Sequence, residues 1–412
     1  MGPEAHRSRL RILFLITDLA KGGAERFLID LCTALQSRPD VEFVIGSLFD
    51  NNEYPELTGR LPIVQLHYSP FSFTVARDYA TYQSLLKEFK PHIVHTHRYL
   101  AEFLSAQHVS NDITYICHGH DNMVQFASFG VGTLLHRAAI TNWLEKRYLI
   151  RNKYRRVRTT FVANSNHTLA YYKAVLPRFM RRDVHLLQPG FDYERFRARK
   201  RRGLPASAPI RLINVGSFQH KKNQIFIVSV ARALREAGVD FKVDLLGDGE
   251  NRAKVQSEVN RWGLADRVTL HGNVERVEEW LWRSHLYLHA AWYEPFGLVL
   301  LEAMAAGLPC VVLDGKGNRD LIEQAQNGYM LDKQDAYEFA ARIKALTGSP
   351  EVYEAMSAYA QEYAKGFDIG RVADRLMALY HECRLQEAPS ERNRSHRKGG
   401  RFTWAERPEN FV

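Results

Sequence analysis

Short apolar runs alternate with longer amphipathic stretches from the start of the chain. Residues 11–17 (RILFLIT), 43–48, 63–67, 92–97 (HIVHTH), 113–118 and 160–164 have the length and composition of strands. Between several of them lie stretches such as 24–35 (AERFLIDLCTAL), whose apolar residues recur at helical spacing. Strand and helix alternating in this way predict a parallel sheet covered on both faces.

The pattern breaks at residues 199–209 (RKRRGLPASAP), rich in charge, proline and small residues, and then restarts. Residues 211–216, 241–246, 267–271, 286–289 and 310–313 form the second set of expected strands. The expected fold class is α/β, with two open parallel sheets joined by a linker. Ligands of such sheets collect beyond the carboxyl ends of the strands, so facing domains would share one cleft. The expected organisation is a domain over 9–200, a second over 209–365, a helix over 366–386 packing back toward the first, and a disordered basic tail over 387–412.

A chain of 412 residues is too long for one ordinary core, and 45% hydrophobic residues supply apolar surface for two, which excludes disorder over most of its length. The net charge of +10 favours anionic partners. Most of that charge lies ahead of residue 203, above all in 146–158 (KRYLIRNKYRRVR), whose basic residues alternate with Tyr148, Leu149, Ile150 and Tyr154. This stretch is expected either as the exposed face of a helix or as an attachment to an anionic membrane surface. Cys32, Cys117, Cys310 and Cys383 lack metal spacing and read as reduced thiols, and no run reaches the length of a membrane span. A cytoplasmic protein, at most peripheral on the cytoplasmic face of a membrane, is the expectation.

The most informative segment is YEPFGLVLLEAMAAGLP, residues 293–309. A strand is expected to end near Ala290, a Glu-Pro turn to follow, and a short apolar helix to run to Ala306 with Gly307 closing it. The backbone amides of Phe296, Gly297 and Leu298 would then be free donors at a helix N-terminus, which suits a diphosphate. Glu294 and Glu302 flank that terminus, and their carboxylates can accept hydrogen bonds from sugar hydroxyls. Glu302 sits in an otherwise apolar helix, where an unpaired charge is costly.

This run resembles the glutamate-seven-residue-glutamate signature of retaining GT-B glycosyltransferases of family 4, and the resemblance extends over about residues 11–385. It implies two Rossmann-like domains facing a central cleft, a hexosyltransferase activity, and transfer of a sugar from a UDP- or GDP-type donor with retention at the anomeric carbon. Glu294 would contact donor-sugar hydroxyls and Glu302 the ribose. Gly22 and Gly23, in LAKGGAERFLIDL, resemble the family's glycine-rich loop after the first strand, near the donor phosphate or acceptor. His118, in ITYICHGHDN, matches the strand-end histidine that reaches the reacting sugar, with His120 close by in sequence. Lys222, in QHKKNQ, would neutralise the leaving diphosphate, and Ser217 stands where the family usually has an arginine. Asn273 and Val274 match the loop beside the base.

No Asp-x-Asp motif or clustered ligand set with metal spacing occurs, so neither a metal nor another cofactor is expected. Expected partners are a nucleotide sugar, a saccharide or lipid-linked acceptor of polysaccharide or glycolipid synthesis, and an anionic membrane surface. Three rival readings are a GT-B sugar-nucleotide epimerase, a non-catalytic nucleotide-sugar binder and a nucleic-acid-binding protein. The last rests on the basic tail alone, with no recognition fold, so nucleic acid is not an expected partner.

Overall fold

Apolar runs become two parallel sheets in the computed structural model, which describes residues 9–68, 80–127 and 137–387. The first sheet contains β1 (Leu10–Ile16), β2 (Val41–Ser47), β3 (Ile63–Gln65), β4 (Ile93–His97), β5 (Thr114–Gly119), β6 (Thr159–Ala163) and β7 (Val184–Leu186). Its strand order is 3-2-1-4-5-6-7. The second contains β8 (Ile210–Val215), β9 (Phe241–Leu246), β10 (Val268–Gly272), β11 (Leu286–His289), β12 (Cys310–Leu313) and β13 (Gly328–Leu331), in the order 10-9-8-11-12-13.

Both orders reverse once, between β1 and β4 and between β8 and β11. The loops after these strands diverge and leave a crevice at the carboxyl edge of each sheet. Both faces of each sheet are covered, which is why the strands read as continuous apolar runs. The four cysteines are buried and unbridged.

The chain passes from one domain to the other ahead of the polar break at 199–209. Leu187 still packs with β1 and β2, whereas Phe191, Tyr193 and Phe196 already pack with Leu281, Leu301 and Met304 of the second domain. The return crossing lies beside it. Phe191 N donates to Phe367 O at 3.2 Å, and Ile369 N donates to Phe191 O at 2.9 Å. From there the Ile369–Glu387 helix lays Val372, Leu376, Met377 and Tyr380 into the core under β1. The tail beyond residue 387 lies outside the described residues.

The basic stretch is not one exposed face. The Arg137–Leu149 helix widens into a π turn at Ile150–Tyr154, and Lys153 and Tyr154 are both buried there. Lys153 Nζ donates to Glu102 Oε2 at 2.8 Å and to Ser105 Oγ at 2.6 Å. Lys146 Nζ donates to the Phe126 carbonyl at 2.7 Å, and Arg158 pairs with Asp183. Arg147, Arg151, Arg155 and Arg156 remain exposed. No helix among the described residues is long and apolar enough to cross a membrane.

Candidate active site

The glutamate motif is shaped by the loop that follows β12. Glu294 N donates to Gly315 O at 2.7 Å, and Gly317 N donates to Glu294 O at 3.0 Å, so both backbone groups of Glu294 are satisfied. A Cβ on Gly317 would lie 1.9 Å from Pro295 O, so glycine is required for this approach. Asn318 locks the loop by accepting from Gly315 N and donating to Leu313 O. With its backbone fixed, Glu294 is held by what its carboxylate meets.

That partner is Lys222, whose Nζ lies 2.5 Å from Glu294 Oε2; His289 Nε2 is 3.4 Å from the same oxygen. Lys222 follows β8 and Glu294 follows β11, so the strand reversal makes them neighbours although 72 residues separate them. Burial would raise the Glu294 pKa, but Lys222 and His289 outweigh it and hold the carboxyl well below the usual carboxylate range. Sequence reasoning gave Lys222 to a diphosphate and Glu294 to a sugar without joining them. Here they form one ion pair.

The expected helix appears at Leu298–Ala305, with Gly297 as its N-cap at φ 101°, a left-handed conformation that a side chain resists. Leu298 is half-buried and packs in both domains' cores, and Phe296 is buried beneath the turn. Glu302, one turn on, is half-buried. Burial pushes its carboxyl up to about 7, with Arg26 and Arg195 opposing and Asp30 and Glu278 adding to the rise. Arg26 and Asp30 belong to the first domain, so Glu302 faces across the cleft.

Gly22 and Gly23 stand opposite. They open the Gly23–Leu35 helix after β1, and a Cβ on Gly23 would lie 3.8 Å from Leu298 Cδ1. The two switch points therefore bring two helix N-termini face to face, where backbone N–H groups and dipoles favour an anion. Glu25, in the first turn, is buried and pairs with Arg98 Nη1 at 2.7 Å. Arg98 follows β4 at φ 70°, an uncommon conformation for a non-glycine residue. Glu25, Arg26 and Arg98 were not foreseen; the strained Arg98 has no signature in the sequence.

Ser217 lies exposed just after β8, and Gln219, His220 and Lys221 continue that loop toward Lys222. It carries no arginine, but its backbone is tightly set. A Cβ on Gly247 would lie 2.2 Å from Gly216 O, and Phe218 N donates to Asp248 O at 2.9 Å. Asn273 is exposed and Val274 half-buried immediately after β10.

His118 is more enclosed than its strand-end position suggests. It lies at the end of β5, with its ring packed against Phe27, His95, His97 and His120. It is fully buried, and burial pushes its pKa down to about 3, so the ring is neutral. His120, two residues on, is half-buried and closer to the loops of the cleft, with its backbone carbonyl held by Asn164.

Domain contacts beside the cleft run from Asn122 N to Tyr293 Oη at 3.3 Å and from Asn166 N to Asp320 Oδ2 at 2.7 Å. One binds the histidine loop directly to the glutamate motif.

Solved structures share this arrangement. An Anabaena protein, Alr3699/HepE, solved with UDP and glucose, superposes with a TM-score of 0.72 over 90% of this chain and 100% of that one, at 18% identity. Sucrose-phosphate synthase from Thermosynechococcus elongatus also gives 0.72, over 92% of this chain and 100% of that one, at 17% identity. At such identities the likeness establishes the GT-B fold. In sequence, EpsF of Bacillus subtilis (strain 168) is 27% identical over 74% of this chain and 80% of its own length. N-acetyl-alpha-D-glucosaminyl L-malate synthase of Bacillus anthracis is 29% identical over 47% of this chain, and the match spans about half of that protein, 50%. The family described as Glycosyl transferases group 1 matches residues 196–363, and that described as Glycosyltransferase Family 4 matches 21–195. Joined without a gap, the two cover both domains and the cleft between them, and the chain belongs to the group 1, family 4 glycosyltransferases of the GT-B fold.

Proposed function

We propose that this enzyme moves a sugar from a nucleoside diphosphate to a saccharide or lipid-linked acceptor with retention at the anomeric carbon. The observation that carries the reading is the Lys222–Glu294 pair beside the Leu298–Ala305 N-terminus, facing Gly22 and Gly23. In this reading the diphosphate lies between the two helix N-termini, with Lys222 turning from Glu294 to the phosphate as charge develops on the leaving group. Glu294, released from its cation, accepts hydrogen bonds from donor-sugar hydroxyls, and Glu302 accepts from the ribose. The acceptor hydroxyl attacks on the face the diphosphate leaves, and a phosphate oxygen takes its proton. Lys222 and the backbone amides supply the positive charge, so no metal ion is assigned to the diphosphate.

Retention is read from the product. Proton NMR of the transferred sugar should show the donor's anomeric configuration; inversion would overturn this part of the reading.

Glu302 makes a pH-dependent prediction. Burial pushes its carboxyl up to about 7, and the ionised form accepts ribose hydrogen bonds more strongly than the protonated one, so donor affinity should rise as pH passes upward through about 7. Glu302→Gln should abolish that dependence. Glu302→Ala should weaken nucleotide binding by about 10- to 100-fold, the worth of hydrogen bonds to a charged group. Calorimetry giving equal affinities for wild type and Glu302→Ala would remove the ribose assignment.

Peripheral attachment to an anionic membrane is part of the proposal and rests on the exposed Arg147, Arg151, Arg155 and Arg156. Each basic residue near such a surface contributes about 1 kcal/mol. Replacing these four by Glu, with the buried Lys153 left intact, should abolish salt-sensitive sedimentation with phosphatidylserine vesicles while donor hydrolysis persists. Removing residues 388–412 should leave binding in place. The reverse pattern would assign the anchor to the tail.

A further inference from the structure

The second arginine-rich run, RFMRR at 178–182, is set by the fold beside the basic turn at 155–158. The Arg178–Asp183 turn directly precedes β7, and residues 155–158 directly precede β6. These strands are parallel neighbours, so both turns sit at the amino edge of the first sheet. The cleft shared by Gly22, Gly23 and the glutamate motif lies beyond the carboxyl edge, and the length of β6 alone separates the two edges by about 15 Å.

Between the two turns lies a pocket of about 240 Å³, whose lining includes Arg155, Arg156, Arg158, Arg182, Thr159 and Asp183. Four arginines thus meet one acid. Asp183 is already engaged, accepting from Arg158 Nε at 3.1 Å, with Arg182 Nε 3.7 Å from its other oxygen. Arg155, Arg156 and the neighbouring Arg178 are exposed and have no ion-pair partner among the described residues. Thr159 is 4% exposed, and its Oγ1 has no hydrogen-bond partner. Buried hydroxyls left unpaired are uncommon, and this one lines the pocket, where a phosphate oxygen can accept from it. Guanidinium forks around such a donor are suited to phosphate.

Phe179 decides which phosphate. It lines the same pocket and is 48% exposed. Beside a small soluble anion its ring would stay in water, whereas at a bilayer it enters the acyl boundary while the arginines remain at headgroup level. Ile140 and Leu144 are exposed as well, but on the Arg137–Leu149 helix, where Thr141 and Arg147 interrupt them and no continuous apolar face forms.

We propose that this pocket holds the headgroup phosphate of an anionic phospholipid, with Phe179 inserted beside it, so that the amino edge of the first sheet rests on the bilayer and the sugar-transfer cleft opens away from it. The inference rests on the membrane attachment proposed above and gives that attachment its contact point and orientation. A lipid-linked acceptor then has to present its sugar about 15 Å or more above the headgroups. That suits an extended saccharide chain and not a sugar joined directly to the lipid.

The test uses the full-length chain and vesicles of phosphatidylcholine and phosphatidylserine. Phe179→Ser should weaken sedimentation by about 10- to 100-fold, the worth of one buried aromatic ring, and Phe179→Leu should keep most of it. Thr159→Val, which removes the hydroxyl at constant shape, should weaken it by about 5- to 10-fold. Because the four natural cysteines are buried, a fluorophore can be placed on single introduced cysteines. A label at Phe179→Cys should be quenched by nitroxide-bearing lipid, and labels at Leu144→Cys on the flank and Asp121→Cys at the carboxyl edge should not. If a substituted protein does not fold by circular dichroism, the remaining arms decide. Wild type that binds these vesicles while the label at position 179 stays unquenched overturns this inference and leaves the attachment standing, as does quenching at 144 or 121 equal to that at 179, or wild-type binding by both Phe179→Ser and Thr159→Val. Wild type that does not bind the vesicles at all removes the attachment and this inference together.

Discussion

Lys222→Ala is expected to lower kcat for donor turnover by about 10²- to 10³-fold, the usual effect of removing one preorganised group that stabilises developing charge. The reason lies in where the charge goes. When the glycosidic bond breaks, negative charge grows on the diphosphate, and Lys222 stands at the carboxyl end of β8 beside the helix terminus that would receive it. In the free enzyme its charge is already matched by Glu294, so the lysine gains most when the leaving group becomes more negative than the carboxylate alone. Its effect therefore belongs to the transition state, and KM for the donor should change far less than kcat. Lys222→Arg should recover part of the rate, because the charge returns on a planar group of different reach. Equal losses in nucleotide affinity and turnover would instead make Lys222 a simple binding residue.

The second large effect is expected at Glu294. Glu294→Ala removes hydrogen bonds from a charged acceptor to the sugar and should lower kcat by about 10-fold to 10²-fold, with affinity for the free nucleoside diphosphate preserved. The structure adds a consequence that spacing alone could not suggest. Because Glu294 and Lys222 touch at 2.5 Å, their effects cannot be independent. The Lys222→Ala, Glu294→Ala double variant should be less impaired than the product of the single losses, with a coupling of about 0.5–3 kcal/mol. Single Lys222→Ala leaves a buried carboxylate without its cation, a penalty that the second substitution relieves. Strict multiplicativity would mean that the ion pair has no part in the working site.

What the sequence disclosed follows from how locally each feature is encoded. Strands buried on both faces leave long apolar runs, and for β9, β11 and β12 the expected bounds coincide with those observed. The two strands that escaped, β7 and β13, are the short outer members of their sheets, each paired on one side only. VHL and GYML are too brief to stand out from loop. The turn and helix around Glu294 and Glu302 were legible because a glycine, a proline and an apolar octet fix them within one segment. Lys222 meeting Glu294, and Glu25 meeting Arg98, depend instead on strand order, which alternation does not encode.

Side-chain direction was the other hidden quantity. Placing His118 at a strand end was correct, yet its depth beneath His120, on the same face of the chain, depends on packing from other elements that alternation does not encode. The basic stretch misled for a related reason, since the π turn at Ile150–Tyr154 sends Lys153 inward to Glu102 instead of outward with its neighbours. In the wider cleft, Glu302 drew attention as an acid in an apolar helix, but its facing Arg26 and Asp30 come from the other domain.

The measurement that reaches the central claim most directly is donor hydrolysis without an acceptor. Wild type and the Lys222→Ala, Glu294→Ala double variant are incubated with a panel of UDP- and GDP-sugars, with and without added magnesium or manganese, and the released nucleoside diphosphate is quantified. The account predicts slow release from at least one donor by wild type, unchanged by the added ions, and greatly reduced release by the double variant. It is contradicted if the double variant hydrolyses the donor as fast as wild type, or if release depends strictly on a divalent ion.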